Sequence, residues 1–263
     1  MFKRIIFFVL PAIIVFFTSC GDGNPALSGP EISILFIGNS FTSVNDLPGL
    51  FTKLAASGGH PVRSDMYAPG GYRLIQHMAD QNVTRKLLDK KWDYIVLQEQ
   101  SQVPAIENEK NNNMYPAVRG FFDRIKAAGA VPILYMTWGR KNGCPEIGYS
   151  DYTSMQERLI DGYMGIANEL SMEVSPVGVA WKTAHELRPE LELWGTDGIH
   201  PDVAGSYLAA CVFYTVIYGK TPEGLNFTAG LPRDTAGFLQ KTGGETVLSD
   251  PKKWFIPGGQ QPR

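Results

Sequence analysis

Two periods of apolar residues alternate along the chain. Short segments at Ile32–Ile37, Val62–Tyr67, Tyr94–Leu97, Val131–Met136 and Glu173–Pro176 have the length of strands; the first, third and fourth are almost wholly apolar, while Arg63, Ser64 and Asp65 interrupt the second. Between them lie longer segments with helical spacing: Asp46–Ala56, Val83–Lys90, Tyr115–Ala128, Asp151–Leu170 and Val177–Glu186. In Tyr115–Ala128, Val118, Phe121, Phe122 and Ile125 fall on one face, and Gly129 caps the end. A glycine loop, Ala68–Leu74, opens a helix toward Ala79. Val203–Tyr218 predicts a strongly apolar helix and Arg233–Leu248 a last one. Residues 103–113, with three successive asparagines, predict a polar loop, as does Thr137–Tyr149, and 191–202 predicts irregular backbone. Strands alternating with helices imply an α/β protein: a three-layer α/β/α sandwich around a central parallel sheet of about five strands. Every informative loop follows a strand, so these loops gather at one sheet edge, where open α/β folds place ligands.

The N-terminus breaks this pattern. Lys3 and Arg4 precede an almost wholly apolar run, Ile5–Phe17, and then Thr18-Ser19-Cys20. The run is too short for a comfortable membrane span and reads as a secretory signal. Small residues directly before a cysteine resemble a bacterial lipobox, although Phe17 stands where Leu is usual. That resemblance implies cleavage before Cys20, lipidation of Cys20, and an extracytoplasmic protein held to a bacterial membrane by this anchor only. The other reading is an ordinary signal peptide cleaved nearby. The domains expected are therefore a signal at 1–19, a flexible Gly/Pro-rich tether at 20–30, one domain at 31–250 and a loose tail at 251–263.

Composition narrows the function. A net charge of −2 carries no basic excess, which excludes nucleic acid as an expected partner. Beyond Cys20 only Cys144 and Cys211 remain, and the sequence leaves open whether they pair. Cys211 sits in an apolar helical run and reads as a packed thiol. There is no CxxC, HExxH or histidine cluster, so no metal site and no cofactor are expected.

Candidate chemistry sits at two turns. Gly38-Asn-Ser40 ends the first strand and carries a serine to the sheet edge, as nucleophile or as helix N-cap. Near the other end, Asp197-Gly-Ile-His200-Pro201 puts a carboxylate two residues from an imidazole, in a turn that Gly198 and Pro201 fix. Together these blocks resemble the SGNH (GDSL-type) hydrolase superfamily over about residues 32–218. The resemblance implies a flavodoxin-like sandwich with Ser40 as nucleophile, His200 as general base and acid, and Asp197 as the orienting carboxylate. It also implies an oxyanion hole from the Ser40 N–H and a glycine N–H after the second strand, here Gly71. The usual Gly-x-Asn-Asp after the third strand is replaced by Gln98-Glu-Gln-Ser-Gln102. Gln100 or Gln98 is then the candidate third donor, unless these are solvated loop residues. The Gly-Asn-Ser-Phe opening with Leu-Gln-Glu-Gln-Ser looks like the DUF4886-like branch of the superfamily. The Gly-x-Ser-x-Gly elbow of α/β-hydrolases is absent.

Trp138, Trp194 and Arg140 fall on the same edge and are the candidate substrate contacts, the tryptophans by stacking on sugar rings; completion of the core is the alternative. His77 reads as solvated helix surface. The expected function is a serine esterase acting on acylated carbohydrate, O-acetyl groups first, or on another small ester. The alternatives are a lipid or short-chain acyl esterase, and a non-catalytic surface glycan-binding protein. The sequence leaves the oligomeric state open.

Overall fold

Strand β1 (Ile32–Ile37) is buried at every position and runs down the middle of the molecule. The structure is a computed structural model and describes residues 25–257. The expected signal segment and Cys20 lie outside the described residues. After β1 come α1 (Ser40–Ser43), α2 (Leu47–Ser57), β2 (Val62–Tyr67), α3 (Leu74–Ala79), α4 (Gln81–Asp89) and β3 (Tyr94–Leu97). Then follow α5 (Glu107–Glu109), α6 (Tyr115–Ala127), β4 (Val131–Tyr135), α7 (Tyr152–Leu170), β5 (Glu173–Ser175), α8 (Val177–Leu187), α9 (Val203–Tyr218) and α10 (Arg233–Leu248).

The sheet has five strands in the order β2-β1-β3-β4-β5, all parallel. The chain leaves β1 toward β2 and then returns to the other side of β1 for β3. Right-handed crossovers in opposite directions place helices on both faces, giving the three-layer α/β/α sandwich. The reversal opens a crevice between the C-terminal ends of β1 and β3, where open sheets bind ligands. β1 and β3 are buried throughout, whereas edge strand β2 is half-buried.

Helix α9 is buried from Ala204 to Tyr218, as a helix apolar all round must be. Its Phe213 meets Phe36 of β1 and Tyr135 of β4 edge-on at 5.3 and 5.0 Å. Along its flanks it packs against α2 and α10.

Two expectations are corrected. Residues 103–113 are not a loop. They form a 3-10 turn at Val103–Ala105, then α5, then a π-helical turn at Lys110–Met114 that runs into α6. Asn111, Asn112 and Asn113 each donate from the side-chain amide to the residue four back, Glu107, Asn108 and Glu109, so the polar run bonds along a helix. The segment after residue 250 is not loose as far as Ile256. Trp254 is 2% exposed and donates from Nε1 to Thr246 O, and Ile256 is buried, so the packed domain extends past the expected boundary. Cys144 and Cys211 are both buried and free.

Candidate active site

The serine turn is built by close approach. A β-carbon on Gly38 would lie 2.4 Å from Gln98 Oε1 and 2.5 Å from Thr42 Oγ1, so glycine is needed for space. The next residue, Asn39, is the N-cap of α1: its Oδ1 accepts from the Phe41 N–H at 3.1 Å. Asn39 takes the capping role that the sequence left open for Ser40, and the Ser40 hydroxyl is freed for other work.

The second turn is closed by an antiparallel bridge between Trp194 and Pro201 and by Gly195 N–H donating to His200 O at 2.7 Å. Gly198 has φ +68°, a conformation that disfavours other residues. Asp197 Oδ1 accepts the Ile199 and His200 N–H groups at 2.9 and 3.0 Å. Oδ2 lies 2.5 Å from His200 Nδ1. A carboxylate only accepts, so Nδ1 carries the proton and the Nε2 lone pair faces outward. Ser40 Oγ–H donates to that Nε2 at 2.8 Å. The hydrogen bond from His200, helped by the two backbone donors, outweighs the opposing effect of burial and holds the Asp197 carboxyl down to about 2, so it stays ionised. A continuous hydrogen-bonded relay thus runs from Asp197 through His200 to Ser40.

Two contacts hold the turns against each other. Asn45 donates from Nδ2 to Pro201 O and to Ser206 Oγ, both at 3.0 Å. Asn45 and Asp46 have φ of 57° and 52°, strained for residues other than glycine. Beneath the relay, Phe41 stacks flat on Trp138 at 4.5 Å and meets the His200 ring edge-on at 5.7 Å.

The glycine loop lies beside the serine turn. Asn39 Nδ2 donates to Tyr72 O at 2.9 Å. Gly71 is exposed, with φ +73°. The backbone N–H groups of Ser40 and Gly71 have no partner among the described residues. Such free donors can stabilise negative charge developing on a carbonyl oxygen.

The expected third donor does not fit its role. Gln98 is fully buried. Its Oε1 accepts from Asn39 N–H and Thr42 Oγ–H, and its Nε2 donates to Asn39 Oδ1 and Glu99 O. That amide is spent on building the serine turn. Gln100 is half-buried and turns into its own loop: its Oε1 accepts from Gln102 and Val103 N–H, and its Nε2 has one long contact, 3.4 Å, to Gln102 Oε1. His77 is buried, not solvated. Its Nε2–H donates to Gly38 O at 2.7 Å, behind the serine, and burial lowers its pKa.

The two tryptophans among the expected substrate contacts are also corrected. Trp138 and Trp194 are each 1% exposed. Trp181 lies between them, stacked on Trp138 at 4.0 Å and edge-on to Trp194 at 5.2 Å. Their Nε1 donors go to Ile199 O and Gly139 O. They support the site from within the core and offer no face to a sugar. Arg140 pairs with Glu146 at 3.1 Å along its own loop. Among the described residues no group of three metal-ligating side chains gathers.

No family model matches the chain, and no curated protein matches it. Solved structures do. A DUF4886 family protein from Bacteroides uniformis superposes with a TM-score of 0.73 at 20% identity, over 83% of this chain and 95% of that one. A candidate SGNH hydrolase from Slackia heliotrinireducens is 30% identical, with a TM-score of 0.60 over 70% of this chain and 97% of its own. An acetylxylan esterase from Geobacillus stearothermophilus shares the fold at 15% identity, with a TM-score of 0.52 over 69% and 92% of the two chains.

Proposed function

The chain belongs to the SGNH hydrolase family, and from that premise we propose that it is a serine esterase that removes short acyl groups, O-acetyl first, from carbohydrate. The observation that carries the reading is the relay from Asp197 through His200 to Ser40, ending beside two free backbone donors. Ser40 Oγ attacks the ester carbonyl as His200 Nε2 takes its proton. Asp197 holds the imidazole in the required tautomer and stabilises the imidazolium. The Ser40 and Gly71 N–H groups receive the oxyanion. His200 then returns the proton to the departing alkoxide, leaving an acyl group on Ser40. Water, deprotonated by the same histidine, releases the acid.

The carbohydrate part of the reading draws support from exposure. The His200 and Asp197 side chains are 38% and 45% exposed, so a bulky leaving group can stay outside the protein while only a small acyl group meets the serine. The acetylxylan esterase that shares the fold is consistent with this, but a shared fold does not fix a substrate. The Cys20 anchor belongs to the same proposal and would hold the enzyme at the outside of a bacterial membrane.

The test uses soluble protein starting after Cys20, with p-nitrophenyl acetate, butyrate and octanoate as substrates. Acetate turnover should exceed octanoate turnover, and Ser40→Ala should lower it by at least about 10³-fold. A fluorophosphonate should label the wild type at Ser40. Octanoate preference would favour a lipid esterase. Absence of both turnover and label would sink the esterase reading.

A further inference from the structure

Glu99 was not singled out by its sequence position, yet it is a fully buried carboxyl group one loop away from Ser40. It follows β3 in the stretch that departs from the family pattern. Oε1 accepts from Gln100 N–H at 2.6 Å and from Leu74 N–H at 3.2 Å, and Oε2 lies 3.4 Å from the same Leu74 nitrogen. Leu74 opens α3, directly after the glycine loop. The side chain therefore ties the loop after β3 to the loop after β2, across the two segments that flank the serine turn.

That loop is held at three successive residues. Asn39 holds Tyr72 O, Glu109 holds the Arg73 guanidinium at 2.8 Å, and Glu99 holds Leu74 N–H. Around Gly71 itself there is open space: a β-carbon there would meet nothing within 4 Å. The Tyr72 N–H donates to Pro69 O at 3.3 Å and closes a turn over Gly70 and Gly71, and the three ties that follow fix that turn against the serine turn. The Arg73–Glu109 pair is part-exposed, 40% and 30%, and pairs of that kind hold weakly. The Glu99 tie is buried, and breaking it strands a buried N–H donor.

We propose that Glu99 is a positioning residue that fixes the Gly71 N–H for the oxyanion, by anchoring the start of α3 to the loop after β3. The catalytic part of this rests on the esterase reading above; the anchoring part does not. Oxyanion donors act only when aimed at the oxygen, and a misplacement of about 1 Å can cost on the order of 10²-fold in rate. Oε1 makes both short contacts, so an acceptor oxygen is sufficient at this point. Glutamine supplies one; alanine does not.

The experiment compares wild type with Glu99→Gln, Glu99→Ala and Glu99→Asp, reading p-nitrophenyl acetate kinetics and hydrogen–deuterium exchange of the peptide covering residues 68–74. Glu99→Ala should lower kcat by about 10- to 100-fold with KM within about twofold, and should weaken an alkylboronic acid inhibitor in parallel, since that adduct places an oxygen where the oxyanion sits. Exchange over 68–74 should rise. Glu99→Gln should stay within about threefold of wild type in every reading. If Glu99→Ala does not fold, Glu99→Asp, one methylene too short, should show the same pattern in weaker form. Unchanged exchange in both shortened variants overturns the anchor. Faster exchange with unchanged kcat and boronate affinity overturns the positioning role. An inactive, unlabelled wild type defeats the esterase reading and the catalytic role with it, while the exchange data still decide whether Glu99 anchors the loop.

Discussion

Glu99 is a carboxyl group kept where charge is costly. Burial pushes its pKa from 4.5 up to about 7, against smaller opposing effects from the Gln100 and Leu74 N–H groups and from Arg73; nearby Glu109 adds to the rise. The Tyr163 hydroxyl, from α7, also faces this residue. Between those two pKa values the unfolded chain has lost the proton and the folded protein has kept it, so stability falls as pH rises through this window and levels off above it. The loss from this group is about 3 kcal/mol. Urea unfolding of wild type and Glu99→Gln at pH 4.5 and 8 should show the variant gaining stability relative to wild type at the higher pH; parallel behaviour would count against a buried neutral acid. Asp197 behaves in the opposite sense. Its lowered pKa contributes stability above the ordinary aspartate range, which is lost as pH falls toward 2. Asp197→Asn should lower turnover by about 10³–10⁴-fold at neutral pH, because the amide presents a donor to Nδ1 and favours the wrong tautomer, and steady-state assays at that pH check it. Ser40, Asp197 and His200 were legible in the sequence because each lies in a short turn whose local spacing sets its geometry. Gln98, Glu99, His77 and the tryptophans were not, because burial comes from elements far away in the chain. A polar residue after a strand looks the same whether it faces water or the back of the serine turn.

At the scale of elements, β1 and β3 could be read from almost unbroken apolar runs, and β2, interrupted by Arg63, Ser64 and Asp65, also falls on its expected boundaries. The failures came where polar side chains bond to their own helix, as the three asparagines do, and where a few late residues pack on a finished core, as Trp254 does. Two predictions belong here. Asn45 has a left-handed backbone and two hydrogen bonds to the histidine side of the site. Asn45→Ala removes the bonds and strains the backbone, and should cost about 1–3 kcal/mol in thermal unfolding. Asn45→Gly relieves the strain and loses only the bonds, so it should be the more stable of the two and still turn over more slowly than wild type. Trp138 joins Phe41, under the serine, to Trp181 in the core. Trp138→Ala should cost about 3–5 kcal/mol in urea unfolding. A change in sugar preference without loss of stability would return Trp138 to the substrate.

For the whole molecule, the two cysteines among the described residues, Cys144 and Cys211, give a direct check in protein starting after Cys20. Cys144 sits in a small apolar cluster with Ala105, Met155 and Leu159, and Cys211 sits within α9. Neither should react with Ellman's reagent until denaturant is added, and a reducing agent should leave the melting temperature unchanged. The last consequence follows from the span of the relay. Ser40 and His200 are 160 positions apart, and their hydrogen bond needs both turns at one edge of the sheet. Loop closure over such a distance is costly and comes late. A chain emerging from the ribosome carries its serine for most of its synthesis with no base beside it. On the proposed esterase reading, activity is therefore a property only of the finished fold, and during refolding its recovery should trail the return of circular dichroism, which makes catalysis a clock for the last step of assembly.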